Sequence, residues 1–237
     1  MYPTANSEQR SFEPRKTLVI VALSNAPPYR VVEGKKVSGF YVDILEAVGE
    51  QLSWEIEYQV VPFARALRNM KLGRADVMLG PRRTPQREEY MDFSIPAFPP
   101  ENIVIVYKNA ANQVSSVGEL GDKTIGVLRG SSYLEALDRD GRLSREEEKD
   151  YETLLRMLDR GHLDLVLIPE LVSENLQRAM KLDFKRAELT MPGEVSYIAI
   201  SRKSPLMAQI GNIQAALDAF KKTEAYEAML LRYRTPK

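Results

Sequence analysis

Cysteine is absent from the 237 residues, and histidine and tryptophan each occur once. Without cysteine there is no disulfide scaffold, thiol nucleophile or iron–sulfur cluster, and most zinc sites go with them. A single histidine, His162, leaves one lone candidate for Ser-His chemistry and no partner for a metal. An excess of either charge is also missing: 33 Lys and Arg balance 33 Asp and Glu. Nucleic acid is held by a basic surface, so it is not an expected partner. No apolar run reaches the ~18 residues that cross a bilayer. The first ten residues are polar and lack the apolar stretch of a signal peptide. The chain then reads either as cytosolic or as an exported protein without its signal, and missing cysteine fits both. Low-complexity segments are absent, and no nucleophile, base and orienter stand at recognisable spacing.

What remains is an ordinary globular composition, 44% hydrophobic and 28% charged, long enough for one large domain or two lobes. Thr17–Leu23 is a β-branched, apolar run closed by Asn25-Ala26-Pro27-Pro28-Tyr29. It reads as a buried strand feeding a stiff loop. Val42, Ile44, Leu45, Val48 and Leu52 follow helical spacing, 55–61 alternates as a strand, and 63–71 reads as a helix. Asp76–Leu79 is a brief strand. Strand, helix, strand, helix, strand predicts a parallel α/β sheet. The order recurs: strand 123–128, helix 131–138, a charge-dense solvated connection 141–150, helix 150–159 and strand 164–168. Two extended runs, 103–107 and 196–200, flank this second unit, and the tail 206–233 has helical spacing. They predict a chain that crosses to a second lobe and returns to close the first.

An internal echo supports that reading. Met70, Gly73, Asp76 and Pro81 recur in spacing as Leu158, Gly161, Asp164 and Pro169. Each piece reads as helix end, left-handed glycine cap, aspartate, strand and proline stop.

Ligands of open α/β sheets sit beyond the carboxyl ends of the strands. Those ends carry Asn25 and Tyr29, Phe63, Gly80 to Arg87, Arg129 to Tyr133, and Glu170. Thr84 and Pro85 form a helix start that places Arg87 one turn in, where a guanidinium can clamp a carboxylate. By spacing alone a surface arginine paired with Glu88 or Glu89 is the simpler reading. Gly130-Ser131-Ser132 offers N–H groups and hydroxyls to an anion, or simple capping. Phe63 and Tyr29 can face a ligand or pack in the core, and Asp43 and Asp76 suit capping and turns.

The ordered set is more specific than its pieces: Pro27-Pro28-Tyr29, Gly39-Phe40-Tyr41-Val42-Asp43, Val61-Pro62-Phe63, Gly73-Arg74-Ala75-Asp76, Arg83-Thr84-Pro85-Gln86-Arg87 and 123–132. From residue 16 to 234 it resembles the bacterial extracellular solute-binding proteins of family 3, polar amino-acid receptors of ABC importers. The resemblance implies a two-lobed α/β clamp of the type II periplasmic-binding-protein kind. Each lobe is a mostly parallel sheet flanked by helices, and two crossover strands join the lobes. Residues 1–15 would be a flexible tail, 16–98 with 196–237 lobe one, and 99–195 lobe two. It implies a monomeric, non-catalytic, periplasmic receptor that needs no metal or cofactor. That receptor closes on a small carboxylate-bearing solute and passes it to a membrane permease. Arg87 would hold the ligand carboxylate, Phe63 stack on the ligand, Gly80 meet its amino group, and Ser131 and Ser132 contact it from lobe two. Tyr29 and Asn25 complete the ligand-binding set. Three departures shape the expectation. Arg82 stands where a small hydroxyl residue is usual, Tyr41 where an aspartate is usual, and Pro169 where the ammonium-binding aspartate is usual. Arg82, Arg87 and Arg129 facing Glu170 alone favour an anion over a plain α-amino acid. The alternatives are a cyclohexadienyl-dehydratase-like enzyme with Glu170 as acid, or a sensory domain.

Overall fold

The computed structural model describes residues 16–133, 135–138 and 140–234; the expected tail at 1–15 lies outside them. The chain runs β1 (Thr17–Leu23), β2 (Val31–Glu33), β3 (Lys36–Ser38), α1 (Phe40–Gln51), β4 (Trp54–Val60), α2 (Phe63–Leu72), β5 (Val77–Leu79), α3 (Pro85–Glu88), β6 (Met91–Asp92) and β7 (Pro96–Tyr107). It continues through β8 (Thr124–Leu128), α4 (Glu135–Asp138), β9 (Ser144–Glu148), α5 (Tyr151–Asp159), β10 (Leu165–Pro169), α6 (Glu170–Met180), β11 (Lys185–Ser201), α7 (Ile210–Phe220) and α8 (Glu224–Arg234).

β1 lies between β4 and β5, parallel to both. β8 lies between β10 and β9, again parallel to both. Between these triplets run β7 and β11, antiparallel to each other. β7 pairs with β10 and β11 with β5, both antiparallel, so one eight-stranded path links the triplets, with β6 paired to β11 beside it. The chain leaves the first triplet along β7 and returns along β11. Two lobes joined by two crossover strands follow directly.

Strand alternation sends side chains to opposite faces, and the second lobe shows it cleanly. Ile125, Val127, Leu165, Leu167, Ile105 and Tyr107 fill one core, while Leu128, Val166, Ile168, Val104 and Val106 join the other. Glycine gives room for helix on sheet: a Cβ on Gly126 would lie 2.6 Å from Leu163 and 2.9 Å from Leu154 at α5.

The echo is physical. α2 ends on Gly73 and α5 runs out to Gly161, with φ +70° and +74°. The aspartate three residues on accepts the N–H of the neighbouring strand. Ile20 N donates to Asp76 Oδ2, and Thr124 N donates to Asp164 Oδ2, both at 2.9 Å.

Two expectations fail. The charged run 141–150 contains β9, an edge strand parallel to β8. One of its edges is free, and charge there discourages pairing with another chain. The helix expected over 131–138 shrinks to α4. The Asp138 carboxylate accepts the Ser132 hydroxyl at 2.6 Å and the Tyr133 N–H at 3.0 Å. Such side-chain bonds compete with helix formation.

Candidate functional site

The carboxyl ends of β1, β4, β5, β8 and β10 converge on a cavity of about 110 Å³ between the lobes, with β7 and β11 forming its floor. From the first lobe come Tyr29, Arg30, Phe63, Gly80, Arg82 and Arg87. From the second come Ser131, Ser132, Tyr151 and Pro169. The crossover strands add Glu101, Glu194 and Ser196.

Arg87 is placed by the helix start that the sequence predicts. Thr84 Oγ1 accepts the Arg87 N–H at 3.3 Å, with Pro85 at the first turn of α3. The side chain is only 5% exposed. Nη1 donates to Arg82 O at 2.5 Å, and Nη2 to Gly130 O at 2.9 Å, so the guanidinium spans the lobes. The Phe63 ring lies 5.6 Å from its carbon, a cation–π contact. The surface pairing with Glu88 belongs to Arg83 instead.

Tyr29 stacks on Tyr41 at 4.5 Å, and Tyr41 stacks on Phe98 at 3.7 Å. Gly80 makes room for this stack: its φ is +71°, and a Cβ would sit 2.3 Å from the Tyr41 ring. Arg82 does two things at once. It lines the cavity, and it grips Glu194 with Nε at 3.1 Å and Nη2 at 2.5 Å. At the Gly-Ser-Ser loop, Ser131 N donates to Leu128 O, while Asp138 takes the Ser132 hydroxyl and Tyr133 N–H. Asp138 therefore fills part of the expected anion cradle. Ser131 and Ser132 still line the cavity.

Three expected residues lie elsewhere. Asn25 Oδ1 accepts the Val32 N–H at 3.1 Å and shapes the loop. Arg129 is exposed and donates to Glu147 O on edge strand β9. Glu170 sits at the start of α6, paired with Arg186 and with Asn102. It lines a separate cavity of about 400 Å³ with Phe40, Pro99 and Tyr233. As the first residue of α6 it lines that second cavity, while Pro169 just before it lines the cleft.

Sequence reasoning missed two carboxylates that line the cleft, Glu194, which pairs with Arg82, and Glu101 on β7. Its Oε1 accepts the Leu171 N–H at 2.9 Å, and the Tyr29 phenol is its other partner. Burial pushes its carboxyl up to about 7, although both hydrogen bonds and Arg30 pull it down. Arg30 was missed too. It is 8% exposed, donates Nε to Ser24 O at 3.1 Å and Nη1 to Leu79 O at 2.6 Å, and lies 5.9 Å from the Tyr41 ring. A charge breaking the run into crossover strand β7 was the only sequence signal for Glu101.

Residues 18–235 match the bacterial extracellular solute-binding proteins, family 3. The chain belongs to this family. An arginine-binding extracellular protein of Bacillus subtilis, ArtP, is 25% identical over 173 residues, 71% of this chain and 67% of that protein. An arginine-binding periplasmic protein of Mannheimia haemolytica is 25% identical over 217 residues, 88% of this chain and 87% of that one. Among solved structures, an ancestral arginine-binding protein bound to arginine superposes with a TM-score of 0.79 at 22% identity, over 92% of this chain and 98% of that chain. All three are binding proteins, the Bacillus one extracellular and the Mannheimia one periplasmic.

Proposed function

We propose that this family member is a solute receptor whose two lobes, 16–98 with 196–237 and 99–195, close on a small carboxylate-bearing ligand. Arg87 carries the reading. A buried guanidinium held by carbonyls from both lobes presents rigid N–H groups to the cleft, and a carboxylate is its best-matched partner. Phe63 props the guanidinium from below. Ser131 meets the ligand from the second lobe, so the closed form is favoured by contacts available only there. Delivery to an ABC permease from the periplasm is the cellular role this reading carries.

Arg87→Lys keeps a cation but loses the fork. It should cost about 1.5–3 kcal/mol of binding, some ten- to a hundredfold in Kd, by calorimetry. Unchanged affinity for the best carboxylate ligand would end the assignment.

One observation favours a second reading. Glu101, held near 7 in the cleft, suits a general acid for a cyclohexadienyl-dehydratase-like reaction. Glu170, the residue first expected in that role, is outside the cavity. Incubation with prephenate or arogenate, followed by assay for the aromatic product, separates receptor from enzyme.

A further inference from the structure

A charge buried without a counter-charge is costly and is retained for a reason. Among the described residues, the buried charged side chains are Arg30 and Arg87. Neither has a carboxylate within 4.0 Å among those residues. Both line the same cavity.

Each guanidinium is fixed by two backbone carbonyls, Ser24 O and Leu79 O for Arg30, Arg82 O and Gly130 O for Arg87. A guanidinium has five N–H groups. Arg30 Nη2 and Arg87 Nε take no part in these bonds. The fully enclosed side-chain polar atom left unpartnered among the described residues is the Trp54 indole nitrogen, so neither of these groups is sealed in protein. The space the two arginines share is the cleft.

Neither guanidinium is ion-paired, although Glu101 acts on Arg30 and Asp138 on Arg87 from beyond 4.0 Å. Glu194 is committed to Arg82 through two bonds. Glu101 is tied to the Leu171 N–H and the Tyr29 phenol. The carbonyl of Leu79, beside the expected amino-group contact at Gly80, is already taken by Arg30. Pro169 supplies no charge. An ammonium in this corner would face a guanidinium.

We propose that the ligand is a small dicarboxylate, with one carboxylate on Arg87 and Ser131 and the other on Arg30. The assignment rests on the reading of Arg87 as a carboxylate anchor. A cavity of about 110 Å³ suits a short chain between the two acids. Arg30 is then the residue that sets specificity. It selects for the second carboxylate and against neutral and cationic amino acids.

Calorimetry on the full chain tests this with succinate, malate and glutarate, with aspartate and glutamate, and with alanine and arginine. Dicarboxylates should bind at least about tenfold tighter than the other amino acids. Equal binding of succinate and aspartate supports two carboxylates as sufficient, and aspartate binding more tightly than succinate would overturn the exclusion of an ammonium from this corner. Arg30→Gln should lower dicarboxylate affinity about tenfold or more, and by a larger factor than it lowers alanine affinity. Arg30→Lys should recover part of the loss, which a purely structural role would not predict. Arginine or alanine binding tightest, still sensitive to Arg87→Lys, would overturn the dicarboxylate assignment and leave the receptor reading standing. Binding of none of these carboxylates would remove both.

Discussion

At the scale of single residues, Glu101 has the sharpest consequences. Its carboxyl is raised from 4.5 to about 7, chiefly by burial. The folded chain therefore keeps a proton that the unfolded chain releases between those values. Stability contributed by this group falls as pH rises from about 4.5 to 7 and is level above. Glu101→Gln keeps an acceptor for the Leu171 N–H and removes the titration. Above about pH 8 the variant should be more stable than the parent by at most about 3 kcal/mol. Near pH 4 the two should coincide, as read from denaturant midpoints. Matching midpoints at both pH values would refute the burial argument. Glu101 and Arg30 also mark where sequence reading stops. Thr84 and Pro85 announce the local helix start that carries Arg87, but spacing left Arg87 a surface residue and Phe63 a core one, and their ligand roles, with that of Gly80, came from the family resemblance. Arg30 and Glu101 reach the cleft only through tertiary packing. Their counterpart Glu170 follows a strand just as Phe63 does, yet the turn into α6 leaves Pro169 facing the cleft.

At the scale of elements, the paired aspartates explain why the lobes were legible. In each, a glycine ends the helix, and the aspartate that follows ties the new strand to its parallel neighbour. The signal is local and periodic, so it survives in sequence. Asp76 additionally accepts the Ser204 hydroxyl at 2.6 Å, and Asp164 the Asn112 amide at 2.9 Å, each pinning a later or earlier segment onto the joint. Asp76→Ala or Asp164→Ala strands a backbone N–H and should cost about 1–3 kcal/mol. Asp→Asn keeps an acceptor and should recover much of it. Urea unfolding in which alanine and asparagine variants lose equally would show that the strand tie is not what matters. β9 was not legible, because Ser144–Glu148 has neither alternation nor apolar residues. Its strand state comes from pairing along β8, and its charges suit an edge. The 131–138 helix is shorter than its spacing suggests for a related reason: Asp138 bonds back to 132 and 133 and holds an open loop.

At the scale of the whole molecule, ligand charge, lobe closure and proton binding meet at one place. Glu101 lies on crossover strand β7 and touches both lobes. Tyr29 faces it from the first, and the Leu171 N–H from the second. Arg30 pulls its carboxyl down and Glu170 pushes it up, while Tyr41 on α1 and Tyr151 at the start of α5 also feel its charge. Burial pushes all three tyrosines upward, so they remain neutral across the physiological range. Glu101 is then the group in this set that titrates near neutrality. A dianion closed into the cleft adds negative charge beside it and favours its protonated form. Binding of succinate should take up protons, and affinity should fall as pH rises from about 6.5 to 8.5, by no more than about tenfold per unit. An amine-bearing ligand resting on Glu101 would need the ionised carboxylate, release protons and bind more tightly as pH rises. Calorimetry in two buffers of different ionisation enthalpy reads the sign directly, and Glu101→Gln should flatten the slope. Proton release with succinate would mean that the cleft recognises its ligand with Glu101 charged, and the surplus of guanidinium over carboxylate in the cavity lining would shrink to one.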